Sequence, residues 1–374
     1  MPTLNIFDKP FDEGTITKLE IFEKYLDSWL PTFILSKYDR PIQIFDLFAG
    51  AGVDIKGVEG SPLRILRIIQ KYTPILRSKN KKVNLYLNDF DKSKITTLKD
   101  KCYEKIKEYD IEDVVILNIS EIPFDKFLIE YKSKLDYGCN LIFIDQNGFK
   151  EVTEDVFKYL INIDTSEFIF FISSSYLHRF AKDPEIQKYH PKFDFSKIVN
   201  CNRKDVHRII CQEFHKYVPQ NIKNFGLLPF SIMKSDNNNV YGLIFVSKHI
   251  LGADKFLDVV WKMNFLNGNA NYDIDEDVKK AQIDLFDGKS MTKIEGFQNK
   301  LNDLILKNKL ITNRDFYEHT INAGHIPKHA FEEIVKMKKN GLINFDGRSP
   351  LVNYKKVVKE RRIIAFKILK SEEN

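Results

Sequence analysis

Between residues 42 and 173 the chain alternates short apolar runs with longer amphipathic ones, and this alternation restricts the fold more than any other feature. β-Type runs at 42–47, 83–88, 114–118, 140–145 and 168–173 are interleaved with helix-like stretches at 62 to about 72, 92 to about 108 and 153 to about 161. An amphipathic helix over 15–30, apolar at 16, 19, 22, 26 and 29–30, leads into the first strand. Strands connected through helices pair in parallel and are covered on both faces, which predicts a parallel sheet between two helical layers.

Residues 176–225 are polar, helical and poor in strand signals, and read as an insertion. "LLPFSIMKSDNNNVYGLIFVSKH" (227–249) then predicts two strands joined by an Asp-Asn-Asn-Asn turn. A parallel sheet finished by an antiparallel hairpin is the layout of a Rossmann-like methyltransferase domain, expected over 1–266. Residues 267–292, rich in Asn, Asp, Gly and Lys, read as a linker. In 293–374 three helices are predicted: "IEGFQNKLNDLILKN", "TNRDFYEHTINAG" with Thr312 as N-cap and Gly324 as stop, and "PKHAFEEIVKMKKNG" with Pro327 at its first position. "LINFDGRSPLV" follows with the Asp-Gly turn of a hairpin, so the segment reads as a winged-helix domain.

Charge separates the same two parts. Residues 291–374 hold 17 Lys and Arg against 10 Asp and Glu, a net of +7, whereas residues 1–290 carry a net of −1. A DNA or RNA partner is therefore expected at the C-terminal segment, through Lys336, Lys338, Lys339, Arg348, Lys355, Lys356, Arg361 and Arg362. A solvated basic face on a protein-binding winged helix is the alternative. The longest apolar runs fall far short of the roughly 18 residues of a membrane span, and the start of the sequence has neither a basic region nor an apolar core, so a cytoplasmic location is expected. The four cysteines form no CxxC pair, so neither a disulfide framework nor a ribbon-type zinc site is indicated. "CNRKDVHRIICQEFH" offers His207, Cys211 and His215, but i, i+4 and i+8 on one helix span about 12 Å, too far to converge on one metal; no metal site is expected.

Asp46-Leu47-Phe48-Ala49-Gly50-Ala51-Gly52 ends the first strand where open α/β sheets bind ligands, and its glycines admit close backbone approach. The third glycine of a dinucleotide fingerprint is replaced by Ile55, and the next helix, capped by Ser61 with Pro62 in first position, starts too late to cradle a pyrophosphate. S-adenosylmethionine has no phosphate and tolerates both departures. The cofactor site expected on these grounds comprises Asp46, Phe48, Ala49, Gly50 and Gly52, with Asp89 ending the second strand as ribose acceptor and Asn118 ending the third beside adenine. The fourth strand ends in Asp145-Gln146-Asn147, and Asp145 and Asn147 are the candidate catalytic pair.

"FDLFAGAGVDIKGVEGSPLRIL", "LYLNDFDKSKITTL", "LIFIDQNGF" and "YGLIFVSKH" resemble blocks of the three-Cys-motif partner proteins, a bacterial family with a class I methyltransferase-like fold often encoded beside a three-cysteine, radical-SAM-like protein. The resemblance spans most of the chain and implies an S-adenosylmethionine pocket at Asp46 to Gly52, Asp89 and Asn118. Where many members carry Asp-Pro-Phe/Trp-Gly, this chain has Asp145-Gln146-Asn147-Gly148. Asp145 retains an acceptor for an amine, with Phe149 one residue further along for stacking, but the prolines of base amino-methyltransferases are missing. Two readings stay open: a methyltransferase-like protein acting on or with nucleic acid, and a non-catalytic adaptor for nucleic acid or a three-cysteine radical-SAM-like partner protein.

Overall fold

The computed structural model describes residues 10–37, 39–146, 148–222, 225–234, 239–281 and 290–369. They form two compact units, Met1–Lys248 and His249–Asn374. The division falls earlier than the 266 boundary read from sequence, so the helix after the last sheet strand is grouped with the second unit.

The first unit is built on seven strands: β1 (Ile42–Asp46), β2 (Val83–Asn88), β3 (Val115–Ser120), β4 (Cys139–Ile144), β5 (Ser166–Ile172), β6 (Gly226–Met233) and β7 (Val240–Ser247). Their order is β3-β2-β1-β4-β5-β7-β6. The first five are mutually parallel, and β7 is antiparallel to both β5 and β6. This is the methyltransferase arrangement expected from the alternating pattern and the terminal hairpin. Most of the hairpin turn, residues 235–238, lies outside the described residues.

Helices α1 (Glu13–Ile34), α2 (Ser61–Ser78) and α3 (Lys92–Glu108) flank this sheet. α1 is fixed by aromatic contacts: Phe22 stacks on Phe143 of β4 at 4.2 Å and Tyr25 meets Phe245 of β7 edge-on at 4.9 Å. α4 (Phe124–Glu130) and α5 (Lys132–Tyr137), which the sequence reading lacked, connect β3 to β4, and α6 (Glu154–Asn162) connects β4 to β5. Phe45 and Tyr86, register partners on β1 and β2, stack at 4.6 Å, with Phe127 of α4 edge-on to Phe45 at 6.2 Å.

The insertion contributes α7 (Ser174–Arg179), α8 (Pro184–Gln187), α9 (Phe195–Asn200) and α10 (Val206–Phe214). Phe193, Phe214 and Tyr217 from this region bury with Phe157, Phe168 and Phe170 in one aromatic cluster. Segments that looked like a polar cap thus supply core.

In the second unit α11 (Ile250–Met263) precedes α12 (Lys293–Leu306), α13 (Asn313–Asn322) and α14 (Pro327–Lys339). Reciprocal capping boxes start α12 (Thr292 with Glu295) and α13 (Thr312 with Asp315). Within the stretch read as linker, residues 267–276 form turns in which Asn267 is buried and donates to Tyr272 O at 2.9 Å, and residues 277–281 are helical. The tight hairpin expected at Asp346-Gly347 is instead wide: β8 (Ile343–Phe345) pairs antiparallel with β9 (Phe366–Ile368), leaving 346–365 as a long wing. Buried Val352 and Val357 pull this loop back onto the unit. Asn313 anchors it: its amide donates to Leu351 O and Arg362 O at 3.3 and 3.0 Å and accepts from Ile364 N–H at 2.9 Å.

Candidate cofactor site

The carboxyl ends of β1, β2 and β4 bring Asp46, Asp89 and Asp145 to one rim of the sheet. After Asp46 the chain turns sharply, with Gly50 at φ +61° and Gly52 at φ +80°, backbone that glycine adopts without a Cβ penalty. A Cβ on Gly52 would stand 3.0 Å from Leu98 Cδ1. The turn is held from both sides. Asp89 Oδ2 accepts from Gly50 N–H at 3.0 Å while its Oδ1 accepts from Asp91 N–H at 3.0 Å, and Ala49 N–H donates to Asn88 O at 2.9 Å. Phe48 stacks on Phe124 at 5.5 Å.

Asp46 is wholly buried; its Oδ1 accepts from Phe48 N–H at 3.4 Å, whereas Oδ2 has no hydrogen-bond partner. Burial raises this carboxyl to about 7, with the negative charges of Asp145 and Asp89 adding to the rise and the Ser61 hydroxyl and Phe48 amide opposing it. Ser61 is thus not the cap of α2, which is Gly60; it stands in the first turn, facing Asp46. Gly60 N–H donates to Gly52 O at 2.8 Å, closing the loop between the glycine turn and the helix.

Asn118 does not reach this rim. β3 runs on to Ser120, and Asn118 pairs in register with Tyr86, inside the strand, its amide donating to Ile116 O at 3.2 Å. Ser120 occupies the strand end and donates to Asn88 Oδ1 at 2.8 Å. β3 extends two residues beyond the end expected at Asn118, because Ile119 and Ser120 continue the ladder opposite Leu87 and Asn88. Phe90, 72% exposed directly after Asp89, adds an aromatic face at the rim with no motif in the sequence to mark it.

Asp145 is engaged from an unforeseen direction. Lys18 Nζ of α1 donates to both carboxylate oxygens at 2.6 and 2.5 Å and lies 4.7 Å from the Phe171 ring centroid. The Lys18 and Asp145 side chains are 10% and 22% exposed, which makes this a largely buried ion pair. Its origin is periodic: Lys18 lies one turn before Phe22, and Asp145 two residues after Phe143, the residue Phe22 stacks on. Gln146 is buried and ties the loop down, donating to Phe171 O at 2.9 Å and accepting from Glu151 N–H at 2.8 Å. Asn147 lies outside the described residues. Phe149 is 1% exposed, packed among Tyr176, Tyr189 and His190, so it is core and not a stacking surface.

His207 and His190 of the insertion serve packing. His207 Nε2–H donates to Leu243 O at 3.0 Å, which leaves Nδ1 to accept from the Ser174 hydroxyl at 2.8 Å. His190 makes the same kind of pair, with Phe149 O at 3.0 Å and the Tyr217 hydroxyl at 3.1 Å. Burial lowers both to about 4, so both rings are neutral. Among the described residues no group of three His, Cys, Asp or Glu side chains is placed to hold a metal.

The basic residues of the second unit divide into two groups. Lys338 donates to Phe345 O and Gly347 O at 2.8 and 3.2 Å and covers the Phe345 ring, Lys336 pairs with Glu333 at 3.5 Å, and Lys356 pairs with Glu360 at 2.7 Å. Lys339, Arg348, Lys355, Arg361 and Arg362 are exposed and form no salt bridge among the described residues.

Residues 271–350 match the family model of the GMT-like wHTH domain. No curated protein matches the chain. Among solved structures it is similar to the methyltransferase domain of bacterial CtHen1-C, at 10% identity over 61% of this chain and 97% of that one, with a TM-score of 0.33. It is also similar to the DszA carbon methyltransferase (10% identity, 63% of this chain and 55% of that one, TM-score 0.36) and to human methyltransferase 10 domain containing protein (8%, 64% and 85%, TM-score 0.26). The fold class rests on the strand order itself: the first unit is a methyltransferase-type α/β sheet, and the second contains a winged helix-turn-helix. No described helix is long and apolar enough to cross a membrane.

Proposed function

We propose that the first unit binds S-adenosylmethionine at the rim of β1 and β2 and that the protein is a methyltransferase-like component working on or with nucleic acid. The observation that carries this is the orphaned, fully buried Oδ2 of Asp46 beside a glycine turn. A buried carboxylate oxygen without a donor is costly, and an ammonium-bearing ligand supplies the donor. Asp89 keeps lone pairs for hydroxyl donors after accepting two backbone amides, and Phe90 offers a face for an adenine. When bound, S-adenosylmethionine supplies a sulfonium methyl group; the chain's own part is to hold the ligand and exclude water around Asp46. Calorimetry with S-adenosylmethionine and S-adenosylhomocysteine tests the reading. Binding of both is expected, and absence of heat together with absence of a thermal shift would end it.

A second reading is favoured by the Lys18–Asp145 pair. The Asp145 carboxylate is charge-paired with Lys18 and Phe149 is core, so an acceptor amine here would meet a neutralised carboxylate and no Phe149 face to stack on. On this reading the unit is a ligand-binding adaptor without catalysis, its partner a nucleic acid or the three-cysteine radical-SAM-like protein implied by the family resemblance. Retained S-adenosylmethionine binding with no methyl incorporation into the cell's nucleic acids or proteins would select it.

A further inference from the structure

The second unit presents two surfaces to which a polyanion could bind, the outer face of α14 and the wing, and their charge chemistry differs. Along α14 the outward residues are Lys328, Phe331, Glu332, Val335, Lys336 and Lys339. Phe331 and Val335, at 41% and 39% exposure, occupy the middle of this stripe. Lys328 is paired with Glu332 at 3.7 Å and Lys336 with Glu333 at 3.5 Å. The helix expected to enter a groove is therefore apolar at its centre and largely neutralised on its flanks.

The wing is the opposite. Residues 346–365 contain six Lys and Arg against Asp346 and Glu360. Arg348, Lys355, Lys359, Arg361 and Arg362 are exposed and form no salt bridge among the described residues, and Glu360 feels the charges of Lys356, Lys355 and Arg362. Asn313 fixes both limbs of the loop, at Leu351 and at Arg362–Ile364, and Arg314 Nη2 donates to Val357 O at 3.3 Å. The cations thus sit on an ordered loop, which lowers the ordering cost of using them together.

We propose that the wing, residues 346–365, is the nucleic-acid contact of this protein, gripping the phosphate backbone of a duplex, and that α14 does not read bases. The proposal rests on the nucleic-acid reading above and specifies its surface and mode. Five cations contacting phosphates give a log–log salt slope of about 4.5, so affinity falls about 500-fold from about 50 to about 200 mM salt. Base sequence matters little, because phosphate contacts position without specifying.

The test is fluorescence anisotropy of the full-length chain with a duplex DNA, a duplex RNA of the same sequence and a scrambled duplex DNA. The wing variant R348A/K359A/R361A and the helix variant K328A/K336A/K339A are compared across the same salt range, with circular dichroism confirming the fold of each. The wing variant is expected to lose at least tenfold in affinity and to lower the salt slope by about 3. The helix variant is expected to stay within threefold of the parent, and the two DNA sequences to bind alike. Binding abolished by the helix variant and kept by the wing variant overturns the wing assignment alone. No binding of any duplex by the parent chain overturns the nucleic-acid reading with it, while S-adenosylmethionine binding, measured separately, stands or falls independently. The DNA and RNA arms identify which duplex supplies the phosphates.

Discussion

Replacing Asp46 with Asn removes one negative charge from a fully buried position, and its effect can be worked out from the carboxyl's elevated pKa. In the folded chain the group titrates at about 7 against an ordinary 3.8. The folded state holds the proton more tightly, so this group's contribution is most favourable below the unfolded value and is lost as pH rises towards 7. The loss is about 3 pKa units, or about 4 kcal/mol, reached near pH 8 and shrinking to about 0.5 kcal/mol at pH 4. Other carboxylates, such as Asp54 and Asp91, are lowered and act in the opposite sense, so the informative quantity is the difference between parent and Asp46→Asn. Urea unfolding from pH 4 to 8 without ligand should show the variant gaining stability progressively, by up to about 4 kcal/mol. S-adenosylmethionine binding should move oppositely: tighter in the parent as Asp46 ionises, and at least tenfold weaker in the variant. A variant less stable than the parent at pH 8, or one that binds the ligand unchanged, would refute the assignment of Asp46 as the buried acceptor.

Two more outcomes follow from packing. Lys18→Met leaves the Asp145 carboxylate without its ammonium in a largely buried setting and should cost about 3 kcal/mol in urea unfolding, most of it recovered in Lys18→Met/Asp145→Leu; a cost that persists in the double variant would place Lys18's contribution in its stem packing instead. Gly242→Ala places a Cβ 2.2 Å from His207 Nε2, so the ring must leave both Leu243 O and the Ser174 hydroxyl, with an expected loss of about 3 kcal/mol; a thermal midpoint within two degrees of the parent would contradict that packing.

The sheet was legible because each strand carries its own signal: continuous apolar runs that end in Asp46, Asn88-Asp89 and Ile144-Asp145 mark both the buried strands and the rim where they stop. The glycine turn was legible for the same local reason. What local patterns do not carry is the partner chosen across the fold. Lys18 belongs to the stripe 18, 22, 25, 29, which faces the sheet, but a lysine in such a stripe reads as an edge residue until Phe143 and Asp145 are placed beneath it. Phe149 and the wing failed for related reasons. The first follows a polar turn, which is the local pattern of a rim residue, although the insertion folds over it; the second has a turn signal at Asp346-Gly347, yet the buried valines at 352 and 357 and the Asn313 clamp decide where the strand returns.

The Lys18–Asp145 pair also narrows the chemistry this rim can perform. An acceptor amine held in the manner of base amino-methyltransferases needs a carboxyl-side oxygen free to accept its proton and an aromatic face to stack on. Here both oxygens are bonded to Nζ at 2.6 and 2.5 Å, the ammonium is backed by the Phe171 ring, and Phe149 is core. Each oxygen keeps a lone pair after accepting from Lys18, so an amine could still be accepted, but by a carboxylate whose charge is already matched and without the Phe149 ring to stack on. Asp46 and Asp89 take no hydrogen bond from Asp145, although its negative charge adds to the rise of the Asp46 carboxyl. The rim thus holds two differently partnered carboxyls: Asp46, buried with an unpartnered Oδ2, and Asp145, charge-paired with a lysine of α1.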